Sequence, residues 1–283
     1  MSRRRELDDR LHALGEINSI LGAMKNLALM EQQKLTRFIS TQRRVVDSIE
    51  AATEDFFTFY PEAARQLGKG TPVWLIIGSE RGFCGDYNER LREGVEQYIR
   101  ERSPYQLRLV LIGRKLGTKF LRDQRVAASL VGPTVAEEVP AVLVGLMALL
   151  RELQSRQKPG VRLEFTIVHQ NPASEGGGML VREPMKRLQD RRMHMSYPPV
   201  LNVDPFTFAT DLIDHHLFSL LHEVFYSALM AENLRRFQHM DQAIQHLDKD
   251  MVELVLKRNS LRQEEITEEI EVIMLSAEAL RQQ

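Results

Sequence analysis

Cysteine, net charge and long apolar runs are all scarce in this sequence of 283 residues. Cys84 is the only cysteine, which excludes an intramolecular disulfide and any cysteine-based metal site within one chain. The formal net charge of -1 argues against a nucleic-acid partner. Because no apolar run reaches the roughly eighteen residues of a membrane span, we predict no direct membrane span. The N-terminus lacks the apolar core of a signal peptide, which predicts a cytosolic protein.

Glycine and proline are absent from the last seventy or so residues, from about Leu212 to Gln283. In this stretch apolar residues recur in steps of three and four, the pattern of one helix stripe. The stripe comprises Phe237, Met240, Ile244, Leu247, Met251 and Leu254, and later Ile266, Ile270, Ile273, Ala277 and Leu280. One helix of this length would extend roughly 100 Å, so it requires a partner along its length.

The beginning of the chain carries a matching stripe. It comprises Leu7, Leu11, Leu14, Ile17, Leu21, Met24 and Ala28. Its mean spacing is close to the 3.5 residues that favour a left-handed supercoil. Since both helices attach to the same middle region, we predict a long antiparallel coiled coil of the N- and C-terminal helices, with the tip of the longer last helix unpaired.

The middle of the chain alternates apolar runs of strand length with helical patterns. The strands are predicted over Val73–Ile77, Leu107–Ile112, Val161–Val168 and Met179–Val181, and the helices over Asp86–Arg102, Lys115–Arg122 and Val139–Gln157. This alternation predicts an α/β fold, with a small, mostly parallel sheet and flanking helices. The predicted domains are therefore an N-terminal helix over 1–58, an α/β foot domain over 70–205 and a C-terminal helix over 210–283.

No motif for chemistry emerges from the polar residues. Gly78, Gly82 and Gly85 follow the first strand but fit no phosphate-binding motif, so a tight turn or a contact with another chain is favoured. Cys84 in this turn is interpreted as a small buried side chain, with a reactive thiol as the alternative. The histidine pairs 215/216 and 239/246 lack the i, i+4 spacing of a helical metal site. We predict no catalytic residue, no cofactor and no metal.

Four segments, in order along the chain, resemble the gamma subunit of F-type ATP synthases. They are Ala23-Met24-Lys25, the turn Ser79-Glu-Arg-Gly-Phe-Cys-Gly-Asp-Tyr-Asn88, Ala231-Glu-Asn-Leu-Arg-Arg236 and the tail Leu261-Arg-Gln-Glu-Glu-Ile-Thr-Glu-Glu-Ile270. The sequence departs from the family pattern at Ser19, Asp86, Val272 and Ser276. Asp86, for example, stands where the family has the second glycine of a Gly-Gly pair. These departures indicate a divergent bacterial member.

The resemblance implies a central rotor stalk that transmits rotation between the ion-driven membrane ring and the catalytic ring, and that is not itself an enzyme. The implied partners are the alpha and beta subunits, the epsilon subunit and the membrane c-ring, at the cytoplasmic face of the bacterial inner membrane as a peripheral protein. By matched position, contacts with alpha and beta subunits are expected at Met24, Lys25, Glu232, Arg236, Arg262, Gln263 and Thr267. The foot-domain turn is expected at Gly82, Cys84 and Gly85.

Two other interpretations of the same patterns stay open at this point. A static coiled-coil adaptor would have the same paired helices without rotating. An α/β enzyme would use the glycine-rich turn after the first strand to bind a nucleotide. The acidic run Glu264, Glu265, Glu268, Glu269 and Glu271 is interpreted either as a solvated helix face or as a surface for a cationic partner.

Overall fold

The computed structural model describes residues 3–65, 70–158, 161–173, 178–184 and 197–281. The α-helices are α1 (Arg3–Phe59), α2 (Pro61–Arg65), α3 (Tyr87–Arg102), α4 (Arg114–Gly117), α5 (Val139–Ser155) and α6 (Pro205–Arg281), and a 3-10 turn covers Ala136–Glu138. The strands are β1 (Thr71–Ile77), β2 (Arg108–Ile112), β3 (Val126–Leu130), β4 (Leu163–Gln170) and β5 (Met179–Arg182).

The chain divides into two compact units. Unit 1 comprises Met1–Leu27 with Phe237–Gln283, and unit 2 comprises Ala28–Arg236. Helices α1 and α6 contribute residues to both units. The predicted domain limits at 1–58, 70–205 and 210–283 stay a prediction.

Unit 2 contains a five-stranded sheet in the order β3-β2-β1-β4-β5. Strands β3, β2, β1 and β4 are parallel to their neighbours, and β5 is antiparallel to β4. Alternate residues of β1 point to opposite faces, as strand geometry requires. Val73, Leu75 and Ile77 enter one apolar cluster with α5 and α6, whereas Trp74 and Ile76 enter another with α3. The sheet is therefore covered on both faces, which explains why β1 is a continuous apolar run.

Helices α1 and α6 also pair within unit 2. The Gln32 side chain donates to the carbonyl of Asn233 at 3.2 Å, and the Gln42 side chain donates to the carbonyl of Ser219 at 3.0 Å. Further along α1, the rings of Phe56 and Phe208 are 5.0 Å apart. As the position on α1 rises, its partner's position on α6 falls, so the two helices are antiparallel here.

In unit 1 the same two helices form the antiparallel coiled coil by themselves. Four polar pairs join them: Lys25 with Asp241 (2.6 Å), Asn18 with Asp248 (2.9 Å), Asp8 with Arg258 (3.4 Å) and Arg4 with Glu265 (3.2 Å). Residue numbers again run in opposite directions along the two helices. Met240 is the one fully buried side chain among those described in this unit.

The predicted fold class is confirmed, with two differences in the sheet and its helices. Strand β3 was not predicted, because Val126-Ala-Ala-Ser-Leu130 carries few branched or aromatic residues and lies at an edge. The helix predicted over Lys115–Arg122 was wrong in its extent, since α4 ends at Gly117 and a turn follows. Part of the foot domain predicted over 70–205 lies outside the described residues, at 185–196.

Candidate functional site

The turn between β1 and α3 lies at the carboxyl edge of the parallel strands. Its two ends are joined by Asn88, whose Oδ1 accepts from the Ser79 N–H at 3.0 Å and whose Nδ2 donates to the Ser79 hydroxyl at 2.8 Å. Gly78 approaches α4 so closely that a Cβ would lie 2.6 Å from the Cβ of Leu116. The glycine and the asparagine of this segment therefore fix the local path of the chain.

The residues predicted for the foot-domain turn occupy its bend. Gly85 has a φ of 57°, and Phe83 adopts a φ of 62° that bulky residues rarely adopt, with its ring 58% exposed. Cys84 lies between them and is buried. Its thiol is 3.3 Å from the carbonyl oxygen of Gly82.

Two residues predicted on the last helix, Glu232 and Arg236, meet this turn inside unit 2. Arg236 donates to the Sγ of Cys84 at 3.4 Å and to the carbonyl of Gly82 at 3.5 Å, and it forms an ion pair with Glu232. The Glu232 carboxylate also accepts from the backbone N–H groups of Glu80 and Arg81. We refer to residues 79–86 of the turn, with Glu232, Arg235 and Arg236 of α6, as the turn–helix clamp.

Burial determines the electrostatics of the clamp. It raises the pKa of the Glu232 carboxyl, while Arg236 and the N–H groups of Glu80 and Arg81 act in the opposite direction. Burial and the nearby Glu232 charge raise the pKa of Cys84 to about 12, so the group stays a thiol at neutral pH. Since thiolates are the reactive form of cysteine, this environment supports the interpretation of Cys84 as a packed side chain over that of a reactive thiol.

A second ion pair in the clamp comes from a position where the sequence departs from the family. Asp86 accepts from Arg235 of α6 at 2.6 Å and from Arg90 of α3 at 2.5 Å. Partial burial opposes the effect of these partners, yet the hydrogen bonds from Arg235 and Arg90 lower the pKa of the Asp86 carboxyl. Asp86 therefore adds an ion pair between the turn and α6.

Glu80 extends the network to the other strands. Its carboxylate is buried and accepts from the backbone N–H of Arg114, after β2, and of Gly132, after β3, each at 2.9 Å. The Arg114 guanidinium pairs with the same carboxylate. One side chain thus joins the carboxyl ends of three strands.

This edge of a parallel sheet is where open α/β folds commonly bind nucleotides. Here the carboxylates of Glu80 and Glu232 accept from backbone N–H groups that a phosphate would otherwise use. A phosphate at this position would lose these donors. The geometry therefore disfavours the interpretation as a nucleotide-binding enzyme.

The other predicted contact residues lie in unit 1. Lys25 is half-buried, and its ammonium group forms the ion pair with Asp241 and lies 5.4 Å from the centre of the Phe237 ring. Met24 beside it is half-buried as well. Both side chains therefore pack partly within the coiled coil and present only part of their surface to solvent.

Arg262, Gln263 and Thr267 are exposed on α6. Thr267 donates to the carbonyl of Gln263 at 2.9 Å, a bond within the helix. Six apolar side chains on the same stretch are between 47% and 66% exposed: Ile266, Ile270, Val272, Ile273, Met274 and Leu275. The side chains of residues 277–281 lie outside the described part. These exposed apolar side chains do not pack into a core of the chain, so other proteins can contact them.

The structure brings together Gly82, Cys84, Gly85, Glu232 and Arg236 within unit 2. The other predicted contact residues belong to unit 1: Met24, Lys25, Arg262, Gln263 and Thr267. The first group is engaged within the chain, with Glu232 and Arg236 buried, so a direct contact of these two with alpha or beta subunits stays a prediction that burial does not favour. Sequence reasoning missed Arg235 and Glu80. The signal for Arg235 was the aspartate at position 86, since a carboxylate in the turn can pair with a cationic side chain.

Of the helices that the structure describes, none combines the length with the apolarity that a bilayer span requires.

A family model described as ATP synthase matches residues 3–280. The chain is similar to the ATP synthase gamma chain of Syntrophobacter fumaroxidans, with 24% identity over 305 residues that cover 99% of this chain and 100% of that protein. It is also similar to the gamma chain of Saccharopolyspora erythraea, with 25% identity over 308 residues, covering 99% and 98% of the two chains.

Two solved structures share the fold. One is a chain of the Euglena gracilis mitochondrial ATP synthase, solved with OSCP, F1 and the c-ring, with a TM-score of 0.60, 14% identity, and coverage of 98% of this chain and 94% of that one. The other is from the Tetrahymena thermophila mitochondrial central stalk and c-ring, with a TM-score of 0.54, 15% identity, and coverage of 79% and 99%. Since the family model spans nearly the whole sequence and the similar proteins are gamma chains, the chain belongs to the ATP synthase family as one of its gamma chains.

Proposed function

We propose that the protein is the central rotor stalk of an F-type ATP synthase, and that it transmits rotation between an ion-driven membrane ring and a catalytic ring. Its partners are the alpha and beta subunits, the epsilon subunit and the membrane c-ring. It acts as a peripheral protein at the cytoplasmic face of a bacterial inner membrane. The gamma-chain relatives and the central-stalk structures that share its fold support this assignment.

One observation carries the proposal beyond similarity. Unit 1 is a two-helix coiled coil whose apolar side chains remain largely exposed, including Ile17, Ile20, Val252 and Leu256 and the six on the last part of α6. Soluble proteins rarely leave so much apolar surface open unless another protein covers it. A coiled coil of this kind suits the interior of a ring of other subunits.

The mechanical role follows from the different side chains around this coil. Exposed apolar residues, the acidic run beginning at Glu264 and the polar pair Arg262 and Gln263 lie at different positions on the helix surface. A surrounding subunit therefore meets different chemistry at each orientation of the stalk. Rotation then shifts the populations of its conformations, because the interaction free energy differs between orientations.

The chain itself is proposed to be non-catalytic. Its sheet edge is occupied by the carboxylates of Glu80 and Glu232, which removes the backbone donors that a nucleotide requires. Titration of the isolated chain with MgATP in a calorimeter checks this point. Binding with micromolar affinity would support the enzyme interpretation instead.

The central test is reconstitution with alpha and beta subunits and single-molecule observation of a bead attached to Cys residues introduced in unit 2. We expect stoichiometric assembly and ATP-driven rotation of the bead. An assembly that hydrolyses ATP while the bead stays fixed would favour the static adaptor, and no assembly at all would contradict the proposal.

The role of the exposed polar pair is tested by Arg262→Ala with Gln263→Ala. We expect normal assembly and a loss of torque or of ATP synthesis, since these side chains supply directional hydrogen bonds to the ring. The control is Lys249→Ala with Asp250→Ala, two exposed neighbours earlier on α6. Equal loss in both double variants would mean that the matched residues have no special role.

A further inference from the structure

The geometry of unit 2 points to a second mechanical element, and this inference rests on the proposed function. We infer that the turn–helix clamp is the connection through which torque passes between the sheet and α6. Asp86 and Arg235 are its adjustable part and act as positioning residues for the transmission of rotation.

Apolar packing holds α6 against the sheet and resists its displacement, because core side chains are closely packed. Leu217, Leu221, Val224 and Phe225 of α6 contribute to this core cluster. Directional hydrogen bonds and ion pairs add resistance at defined positions, since they lose their geometry after a small displacement.

The clamp and the adjacent residue Tyr87 supply directional contacts over about two turns of α6. The Tyr87 hydroxyl donates to the carbonyl of Ala228 at 3.3 Å. One turn later Glu232 accepts from the backbone of the turn, and at the next turn Arg235 and Arg236 bind Asp86, Gly82 and Cys84. Because the bonds come from successive turns of the helix, they oppose both its rotation and its translation.

The path continues from the turn into the sheet. The backbone N–H of Glu80 donates to Glu232, while the Glu80 side chain accepts from the N–H groups of Arg114 and Gly132. Glu80 therefore connects α6 to the ends of β2 and β3 as well as β1. A force on the helix is distributed over three strands instead of one.

Asp86 and Arg235 are the part of the clamp that can be changed without disrupting the core. Their side chains are 45% and 23% exposed, whereas those of Glu232 and Arg236 are 4% and 9% exposed. The pair is therefore more accessible to solvent than the pair of Glu232 and Arg236. Its removal leaves the apolar packing and the buried pair in place.

The experiment uses the complete reconstituted synthase in vesicles and compares Asp86→Asn, Arg235→Gln and the double variant. The measured quantity is the number of ions pumped per ATP hydrolysed under load, together with assembly and the unfolding midpoint of the chain. We expect each single variant to lower this ratio about two- to threefold at full assembly, and the double variant to lose no more than either single one.

Arg90→Gln is the matched control. It removes the ion pair of Asp86 with Arg90, a residue of α3, and leaves the contact of Asp86 with Arg235 of α6 intact. We expect its pumping ratio to equal that of the unaltered chain. An equal loss in this control, additive losses in the double variant, or unchanged ratios in both single variants would each overturn the inference.

A covalent link provides a second route if a variant assembles poorly. Asp86→Cys with Arg235→Cys is joined by a short bismaleimide after assembly, and the pumping ratio is measured before and after the reaction. Restoration by the link supports the inference, and a ratio that stays low after complete linking overturns it. If the unaltered chain itself fails to rotate, the proposed function fails instead, so the two failures are distinguishable.

Discussion

Helices α1 and α6 pair in both units, but the two units stabilise the pairing in opposite ways. Unit 2 packs the helices on a sheet, with side chains such as Leu35, Leu221 and Phe225 almost completely buried. Unit 1 has Met240 as its one fully buried side chain among those described, and its cross-helix pairs are partly exposed. Unit 2 therefore contains its own core, whereas unit 1 leaves many of its described apolar side chains exposed.

The ion pairs of the two units also differ in how deeply they are buried. The ion pair of Glu232 and Arg236 in unit 2 is surrounded by protein, so each charge depends on the other. The pair of Arg4 and Glu265 in unit 1 is more than two-fifths exposed, so water can replace either partner. The buried pair should therefore matter more for stability than the exposed one.

The largest effect is expected for Glu232→Gln in unit 2. The substitution preserves shape but leaves the buried Arg236 charge uncompensated, which should reduce the free energy of unfolding by about 3 kcal/mol. Fluorescence of Trp74, the only tryptophan, reports on this unit during urea unfolding because the residue lies in β1.

Asp248→Asn in unit 1 is the control for this comparison. Its partner Asn18 is neutral and the hydrogen bond between the two is exposed, so we expect a change below about 0.5 kcal/mol. A loss of similar size in the two variants would remove the distinction between the units.

Glycine substitutions should have opposite signs in the two units. Gly113 of unit 2 has a φ of 108°, and an added Cβ would lie 2.7 Å from the carbonyl oxygen of Ser79, so Gly113→Ala should destabilise by about 2 kcal/mol. Gly22 of unit 1 lies inside α1 with open space around it, so Gly22→Ala should stabilise by about 0.5–1 kcal/mol. Thermal unfolding followed by circular dichroism and by Trp74 measures both, and stabilisation by Gly113→Ala would contradict the turn geometry.

A small effect that depends on salt is expected for Asp241→Asn in unit 1. The change removes the ion pair with Lys25, whose side chain is 28% exposed, and should cost at most about 1 kcal/mol. The loss should shrink further as salt is added, because screening already weakens the pair. Hydrogen exchange of residues 20–27 at low and high salt measures it. A large loss that does not change with salt would mean that the pair of Lys25 and Asp241 behaves like the buried pair of Glu232 and Arg236 in unit 2.

The sequence was sufficient for the architecture where one physical rule determined the outcome. A stretch without glycine or proline and with helical periodicity could only become one long helix, and a continuous apolar run such as Val73–Ile77 required cover on both faces. Strand β3 escaped this reasoning because its Ala-Ala-Ser centre has no apolar signal, and it forms by pairing with β2.

The sequence predicted the two parts of the clamp but not the contact between them. The turn and the Glu232 segment were each recognised, but their meeting joins residues about 150 positions apart and depends on the packing of α6 on the sheet. Nothing local in the sequence distinguished Arg235 from Arg236. Their separate partners follow from the helical step of roughly 100° between neighbours, which directs one to Asp86 and the other to Cys84.

The burial of Cys84 has a consequence for labelling experiments on this protein. A lone sulfhydryl that stays protonated and enclosed gives almost no background in maleimide chemistry. Dyes, spin labels or gold particles can therefore be attached at engineered cysteines without first removing the native one. Any slow labelling of the native residue would in turn register transient opening of the bend that contains it.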